Sequence, residues 1–379
     1  MALAAASALG GEAPEHPLVP TRPLGKTGVD VSTLSFGCFR VDVSKQMLLK
    51  KSLEWGVTHW DTAHNYGTEP ALGKYFEKWP EDRKRVFLAT KSWTRDPKDL
   101  SRELAQSLRD MKTDHVDLLY IHRIDDVKEM SPEKVKAWKE WAAANKADGK
   151  FRLLGFTSHD STGKVFIRAA ELGLFDAAML MYNYRLLNNE GTNAAIDACA
   201  KAGMGVVAIK LMGAGPIEKA PEAERRLAEP FQKRGFSPEQ AMIKAVLEKP
   251  GVSCVCVGMP NLEMLEADIA AVLDKTKLTA EDKALLEQHA RETCSSYCAG
   301  CGSLCQPAIA NAVPVSDIMR LLMYYRSYKD PDLARRLFAE LPRDARDRLA
   351  AVDYSSAERC CPQRLPIARL MREAARILA

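Results

Sequence analysis

The sequence predicts an α/β fold, a (β/α)8 TIM barrel with a small C-terminal all-α module. Three observations carry this. Between residues 31 and 258, short apolar runs alternate with charged stretches of helical pattern, the signature of parallel strands joined by crossover helices. The runs number eight, which suits a closed barrel better than an open sheet. They are almost continuously apolar, as strands buried on both faces are.

In order, the runs are VSTLSFG (31–37), THWDTA (58–63), VFLATK (86–91), VDLLYIH (116–122), LLGFTS (153–158), AAMLMYN (177–183), VVAIK (206–210) and SCVCVG (253–258). Between them, stretches such as DLSRELAQSLRDM and STGKVFIRAAELG place apolar residues at helical spacing. The barrel is expected to end near residue 290, after the helix that carries LEMLEADIAAVL. Three helical segments without a strand follow: VSDIMRLLMYYRSY, DPDLARRLFAELP and CCPQRLPIARLMREAARILA. The expected organisation is therefore a tail over 1–20, a barrel over 21–290 and a helical module over 291–379. The tail opens MALAAASALGGEAPEHP and lacks the basic start of an export signal. It reads either as a disordered Ala-rich tail of a cytoplasmic protein or as the remnant of a signal whose start lies upstream. The second reading implies export of the folded protein to the periplasm.

The chain has 379 residues, 46% hydrophobic and 27% charged, with a net charge of +4. With no Lys/Arg run, this mild balance does not imply a nucleic-acid partner. No apolar run reaches the roughly 18 residues of a membrane span. Oligomeric state is not legible.

A barrel of this type places its chemistry at the C-terminal ends of its strands. Those ends carry Asp61, Lys91, His122 and the pair Ser158–His159, with Tyr66 in the loop DTAHNYG. Such a set has definite chemistry. A phenol of ordinary pKa near 10 is a weak acid at neutral pH, and a neighbouring ammonium favours its phenolate. A carboxylate pairs with the ammonium, and an imidazole donates to a substrate oxygen. Together they make a proton donor for a carbonyl that receives a hydride. The plainer alternative is an Asp61–Lys91 structural pair and a satisfied core His122. His59 reads as strand packing and His64 as a loop residue near substrate. Cys254 and Cys256 alternate along the last run as core, and Cys38 reads as packing. Trp93, Arg123 and Tyr184 follow strand ends and either line the pocket or only pack.

DTAHNYG, ATK and LLYIH resemble the catalytic segments of the aldo/keto reductase family, and RPLGKTGVDVSTLSFG resembles its opening hairpin and first strand. The resemblance spans about residues 21–275. It implies an NADPH- or NADH-dependent oxidoreductase that reduces an aldehyde or ketone to an alcohol, or runs the reverse. Tyr66 would be the general acid, Lys91 would tune it, Asp61 would hold Lys91 and His122 would orient the carbonyl. GFTSHD resembles the segment at the nicotinamide amide, which implies Ser158 and His159. Asn183 stands where the family reads YN. KLMGAG implies Lys210, Leu211, Gly213 and Gly215 at the cofactor phosphates and adenosine, as VGMPNLEMLEAD implies Gly258, Met259, Asn261 and Glu266. Two positions depart from the family pattern. Met179 replaces a Gln four residues before Asn183. Glu263 and Glu266 lie where NADPH-preferring members often have a cation, so the choice between NADPH and NADH stays open.

Four of the ten cysteines fall in CSSYCAGCGSLC, 294–305, spaced C-x3-C-x2-C-x3-C. This resembles a bacterial ferredoxin run. The tail's CPQRLPI resembles the end of the ferredoxin-like extension that some aldo/keto reductases carry. The resemblance implies one [4Fe–4S] cluster on Cys298, Cys301, Cys305 and Cys361. Cys294 is the rival for Cys305, and Cys360 competes with Cys361. Zinc, disulfides and a metal-free loop are the alternatives. A cluster would either staple a module with little core or relay electrons to the nicotinamide site and an outside partner. Two further functions stay open: a nucleotide-sensing binding subunit, and an electron-transfer protein linking NAD(P)H to the cluster.

Overall fold

The structure, a computed structural model, describes residues 16–160, 162–213, 221–235, 237–294 and 297–379. An antiparallel hairpin, β1 (Thr21–Pro23) and β2 (Asp30–Ser32), leads into the barrel. Eight strands then close on themselves: β3 (Leu34–Gly37), β4 (His59–Asp61), β5 (Phe87–Ser92), β6 (Val116–Ile121), β7 (Phe151–Ser158), β8 (Ala177–Met181), β9 (Gly205–Ile209) and β10 (Val252–Val257). Neighbours run parallel, and β10 pairs with β3 to close the ring. Each expected apolar run holds one strand.

One helix follows each of β3 to β8: α1 (Gln46–Glu54), α2 (Glu69–Lys78), α3 (Pro97–Asp110), α4 (Pro132–Ala147), α5 (Lys164–Leu172) and α6 (Glu190–Lys201). Two lie between β9 and β10, α7 (Pro221–Gln232) and α8 (Pro238–Leu247), and two follow β10, α9 (Leu262–Leu273) and α10 (Ala280–Glu292). Their starts are set by local chemistry. Asp96 accepts from the Lys98 N–H at 2.9 Å just ahead of Pro97, and Ser131 caps α4 ahead of Pro132. Thr279 and Asp282 form a reciprocal capping box on α10.

The strands bury both faces, which is why the runs are continuous. One face fills the barrel interior with Phe87, Ala89, Leu118, Tyr120, Met179, Val207 and Cys254. The other packs on the helices through Leu88, Leu119, Leu154, Ala178, Val206 and Val255. Gly155 stands opposite Tyr120 in register, and a Cβ there would lie 2.6 Å from the Tyr120 ring. The glycine thus makes room for the largest interior side chain.

Residues 16–20, expected at the end of the tail, are packed instead. The Val19 N–H donates to the Trp55 carbonyl at 2.9 Å, Val19 is 3% exposed, and His16 stacks on Trp55.

The segment after α10 is all helical among the described residues, but in six pieces and not three: α11 (Gly302–Cys305), α12 (Val315–Arg326), α13 (Pro331–Ala339), α14 (Arg343–Arg348), α15 (Ser355–Arg359) and α16 (Ile367–Ile377). Pro342 starts α14, and Asp353, which accepts from the Ser355 N–H, starts the turn into α15. The expectation of little core is not met. Ile318, Leu321 and Leu322 of α12, Phe338 of α13, and Leu370 and Met371 of α16 build a separate buried cluster with Leu349, Tyr354 and Leu365. Met323 of the same α12 belongs to the barrel's own core. No helix among the described residues is long and apolar enough to cross a membrane.

Candidate active site at the mouth of the barrel

Parallel closure brings the strand ends to one face. Asp61 ends β4, Lys91 sits near the end of β5, His122 follows β6, Ser158 ends β7, Asn183 follows β8 and Lys210 follows β9. Asp61 and Lys91 form a buried ion pair, and Lys91 Nζ also donates to the Thr62 carbonyl at 2.6 Å. Burial works against the Lys91 ammonium, but Asp61 and then Tyr66 outweigh it and hold the amine above its ordinary range. Cys256, expected as core, lies in the barrel interior and also points its thiol at Asp61 Oδ1 from 3.9 Å.

Tyr66 lies in a short turn after β4, and its ring centroid is 5.0 Å from Lys91 Nζ. The His122 ring stands across it at 5.9 Å and 78°. Phe39 meets Tyr66 edge-on at 4.8 Å. The expected lowering of the phenol pKa by Lys91 is present but does not win. Burial dominates and pushes Tyr66 up to about 12, with Lys91 pulling the other way. The group is therefore protonated at rest. Burial, followed by Lys91, holds His122 well below its ordinary pKa, so it is a neutral imidazole, and its Nδ1 finds no partner among the described residues. Trp93 packs edge-on against His122 at 4.9 Å.

The raised phenol fixes a pH dependence. If reduction uses protonated Tyr66, its rate should be flat with respect to this group between about pH 6 and 9 and fall only as pH approaches the raised pKa. In that case the reverse oxidation would draw on the phenolate and should rise over the alkaline range. Steady-state rates in both directions check this. A reduction rate that drops near neutral pH with a Tyr66 signature would contradict it.

Two cavities open at this face. One, of about 320 Å³, is lined by Tyr66, Phe39, Arg40, Asn65 and residues of α13. The other, of about 150 Å³, is lined by Arg123, Asp125, His159, Met181, Lys210, the 297–302 loop and α12. Helix α12 borders the second with Arg320 and Met323, and it reaches the first through Tyr324, 5.8 Å from Phe39. Arg123 binds Asp125 at 2.8 Å and Asp317 of α12 at 2.6 Å, and Arg320 binds Asp317 at 3.0 Å. The helical module therefore forms part of the mouth. Arg320, Tyr324 and Asp125 were not anticipated. The charged pair Asp317 and Arg320, three residues apart on a largely apolar helix, was the one available signal.

The expected cofactor residues are only partly gathered. His159 and Lys210 face the same cavity. Burial lowers His159 to about 3, which leaves it neutral. Burial, then Arg320 and Arg123, push Lys210 down to about 7. Ser158 Oγ instead donates to Asp125 at 3.0 Å. Asn183 is fully buried and holds the Arg185 N–H with its Oδ1. Leu211 is buried beneath the loop, and the Gly213 N–H turns back to the Lys210 carbonyl. Gly215 lies outside the described residues. On the adjacent strand end, Gly258 is unobstructed, Met259 is buried, and Asn261 caps α9 by accepting from the Met264 N–H. Glu266 is exposed on that helix. Met179 belongs to the barrel interior and does not reach the mouth.

Among the lesser expectations, Cys38, Cys254 and His59 are core, with His59 edge-on to Phe87. Arg123 lines the cavity. Tyr184 does not. It is 3% exposed and packs against His289 of α10. His64 turns away from the mouth toward Glu69 and Ser107.

The four cysteines expected as ligands, Cys298, Cys301, Cys305 and Cys361, line one small pocket with Leu365 and Ile367. Burial, then the neighbouring thiols, push Cys298 up to about 12. Cys294 is not among the walls, and Cys360 is exposed and donates to the Leu304 carbonyl. Among the described residues, no group of three or more His, Cys, Asp or Glu is arranged to hold a single metal ion.

A closed parallel barrel with ionisable groups converging at its carboxyl face defines an enzyme of the (β/α)8 class. The sequence profile of the aldo/keto reductase family matches residues 40–291, and the chain belongs to that family of NAD(P)H-dependent reductases. It is similar to an aldo-keto reductase named for NADP(+) from Schizosaccharomyces pombe, 26% identical over 282 residues, covering 66% of this chain and 80% of that protein. It is also similar to L-glyceraldehyde 3-phosphate reductase of Escherichia coli O157:H7, 26% identical over 325 residues, covering 71% of this chain and 91% of that protein. A solved thermostable aldo-keto reductase in complex with epalrestat superposes with a TM-score of 0.58 at 26% identity, covering 71% of this chain and 99% of that one.

Proposed function

We propose that this enzyme reduces an aldehyde or ketone with NADPH or NADH, with Tyr66 as the proton donor. One observation carries the reading: the Tyr66 phenol lies against the Lys91–Asp61 pair and across from His122. The cofactor supplies the hydride when bound. The chain's own residues supply the rest. His122 offers one N–H to the carbonyl oxygen and so fixes its direction. Tyr66 passes its proton to that oxygen. Lys91 stabilises the phenolate left behind, and Asp61 holds Lys91 in place. His159 and Asn183 are proposed at the nicotinamide side, and Lys210 at the cofactor phosphates.

The test is oxidation of NADPH and of NADH, compared directly, with a panel of simple aldehydes. Turnover supports the reading. Tight cofactor binding without turnover would favour a nucleotide-sensing subunit.

We further propose that Cys298, Cys301, Cys305 and Cys361 hold one [4Fe–4S] cluster. Support comes from their shared pocket and from the exclusion of Cys294 and Cys360 from its walls. Thiolates on the corners of a four-iron cube stand further apart than around one zinc ion.

A further inference from the structure

We propose that the Tyr297–Cys301 loop couples the thiol pocket to the cofactor-side cavity, with Tyr297 as a positioning residue for Asn183. The inference rests on the reading of Asn183 and His159 as cofactor residues.

The loop touches both sites at once. Tyr297 is 1% exposed, and its hydroxyl accepts from Asn183 Nδ2 at 3.1 Å and donates to Met181 Sδ at 3.3 Å. The Arg185 N–H donates to Asn183 Oδ1 at 3.0 Å, so the amide is oriented from both ends. The Arg185 guanidinium also lies over the Tyr297 ring at 4.9 Å. The next residue, Cys298, lines both the cofactor-side cavity and the thiol pocket. Gly300 has φ +77°, and a Cβ there would stand 3.0 Å from the His159 carbonyl and 3.4 Å from Met181 Cε. The loop is thus seated on the same two residues, Met181 and His159, that wall the cavity.

The consequence is mechanical. A change at Cys298 or Cys301 that shifts this loop must shift the Tyr297 hydroxyl, and with it one of the two bonds that hold the Asn183 amide. Loss of a hydrogen bond of this kind is large enough to be read as affinity. Coupling between two sites is reciprocal, so bound cofactor must also restrain the thiols.

The experiment uses the full chain as purified. Dissociation constants for NADPH and NADH are measured for wild type, Tyr297→Phe and Asn183→Ala. Backbone hydrogen exchange of the peptide over 297–305 is followed by mass spectrometry with and without saturating cofactor. We expect Tyr297→Phe to raise the cofactor Kd and KM about three- to tenfold with kcat within about twofold. Cofactor should slow exchange of this peptide in wild type, and that protection should fall in Tyr297→Phe at matched occupancy. Protection that survives in Tyr297→Phe is simple shielding and overturns the proposal. No protection in wild type overturns it without any variant. If Asn183→Ala weakens binding and Tyr297→Phe does not, the coupling alone fails. If Asn183→Ala leaves the affinity unchanged, the cofactor reading fails and the coupling with it.

Discussion

Replacing Tyr66 with phenylalanine should lower kcat for carbonyl reduction by about 10²–10⁴-fold while leaving cofactor affinity unchanged. The substitution removes only the hydroxyl. The ring keeps its edge contact with Phe39 and its place against Lys91, so the fold and the buried ion pair survive. Lys91 and Asp61 are poorer targets. Removing one member of a buried pair strands the other and costs about 3–5 kcal/mol, so lost activity would be hard to separate from lost structure. Steady-state kinetics with a cofactor titration decide the matter. A Tyr66→Phe enzyme that reduces simple aldehydes at near wild-type rate would sink the role assigned to Tyr66.

The second large effect concerns the cysteines. If the proposed cluster is present, Cys361→Ala should abolish its roughly four iron atoms and matching sulfide, whereas Cys294→Ala and Cys360→Ala should retain them. The reason is position: Cys361 lines the thiol pocket, and the other two do not. The helical segment should stay folded, because Ile318, Leu322, Phe338 and Leu370 give it an apolar core of its own. Anaerobic iron and sulfide assay with an absorption spectrum reads the outcome. Zinc without iron would overturn the cluster. Iron kept in Cys361→Ala and lost in Cys294→Ala would overturn the ligand set.

The barrel was legible because its strands are buried on both faces, which leaves uninterrupted apolar runs. Asp61 and Lys91 stood out for the same reason, as charges ending runs that are otherwise apolar. What burial does to a charge was not legible. The Lys91 ammonium favours the Tyr66 phenolate as chemistry alone predicts, yet enclosure outweighs it. Contacts between distant parts of the chain were hidden as well. Tyr297 reads as a spacer among cysteines, and nothing local says that its hydroxyl meets an amide 114 residues away. Tyr324 and Arg320 read as ordinary helix residues until α12 is laid across the mouth. Tyr184 and His64 show the opposite error: a position just past a strand end suggests a pocket wall, but each side chain turns outward to a helix.

Helix α12 carries a consequence for anyone dissecting the chain. Its Met323 lies in the barrel's core while Leu321 and Leu322 lie in the other, and Asp317 holds Arg123 from across the gap. A barrel cut free after Glu292 would not be a smaller version of the same catalyst. Arg123 would lose a carboxylate, and Phe39 would face solvent where Tyr324 had been. Water would then screen the charges around Lys91 and His122. Substrate preferences measured on such a fragment would describe the fragment, and homologous barrels that lack the segment are poor guides to what this one accepts.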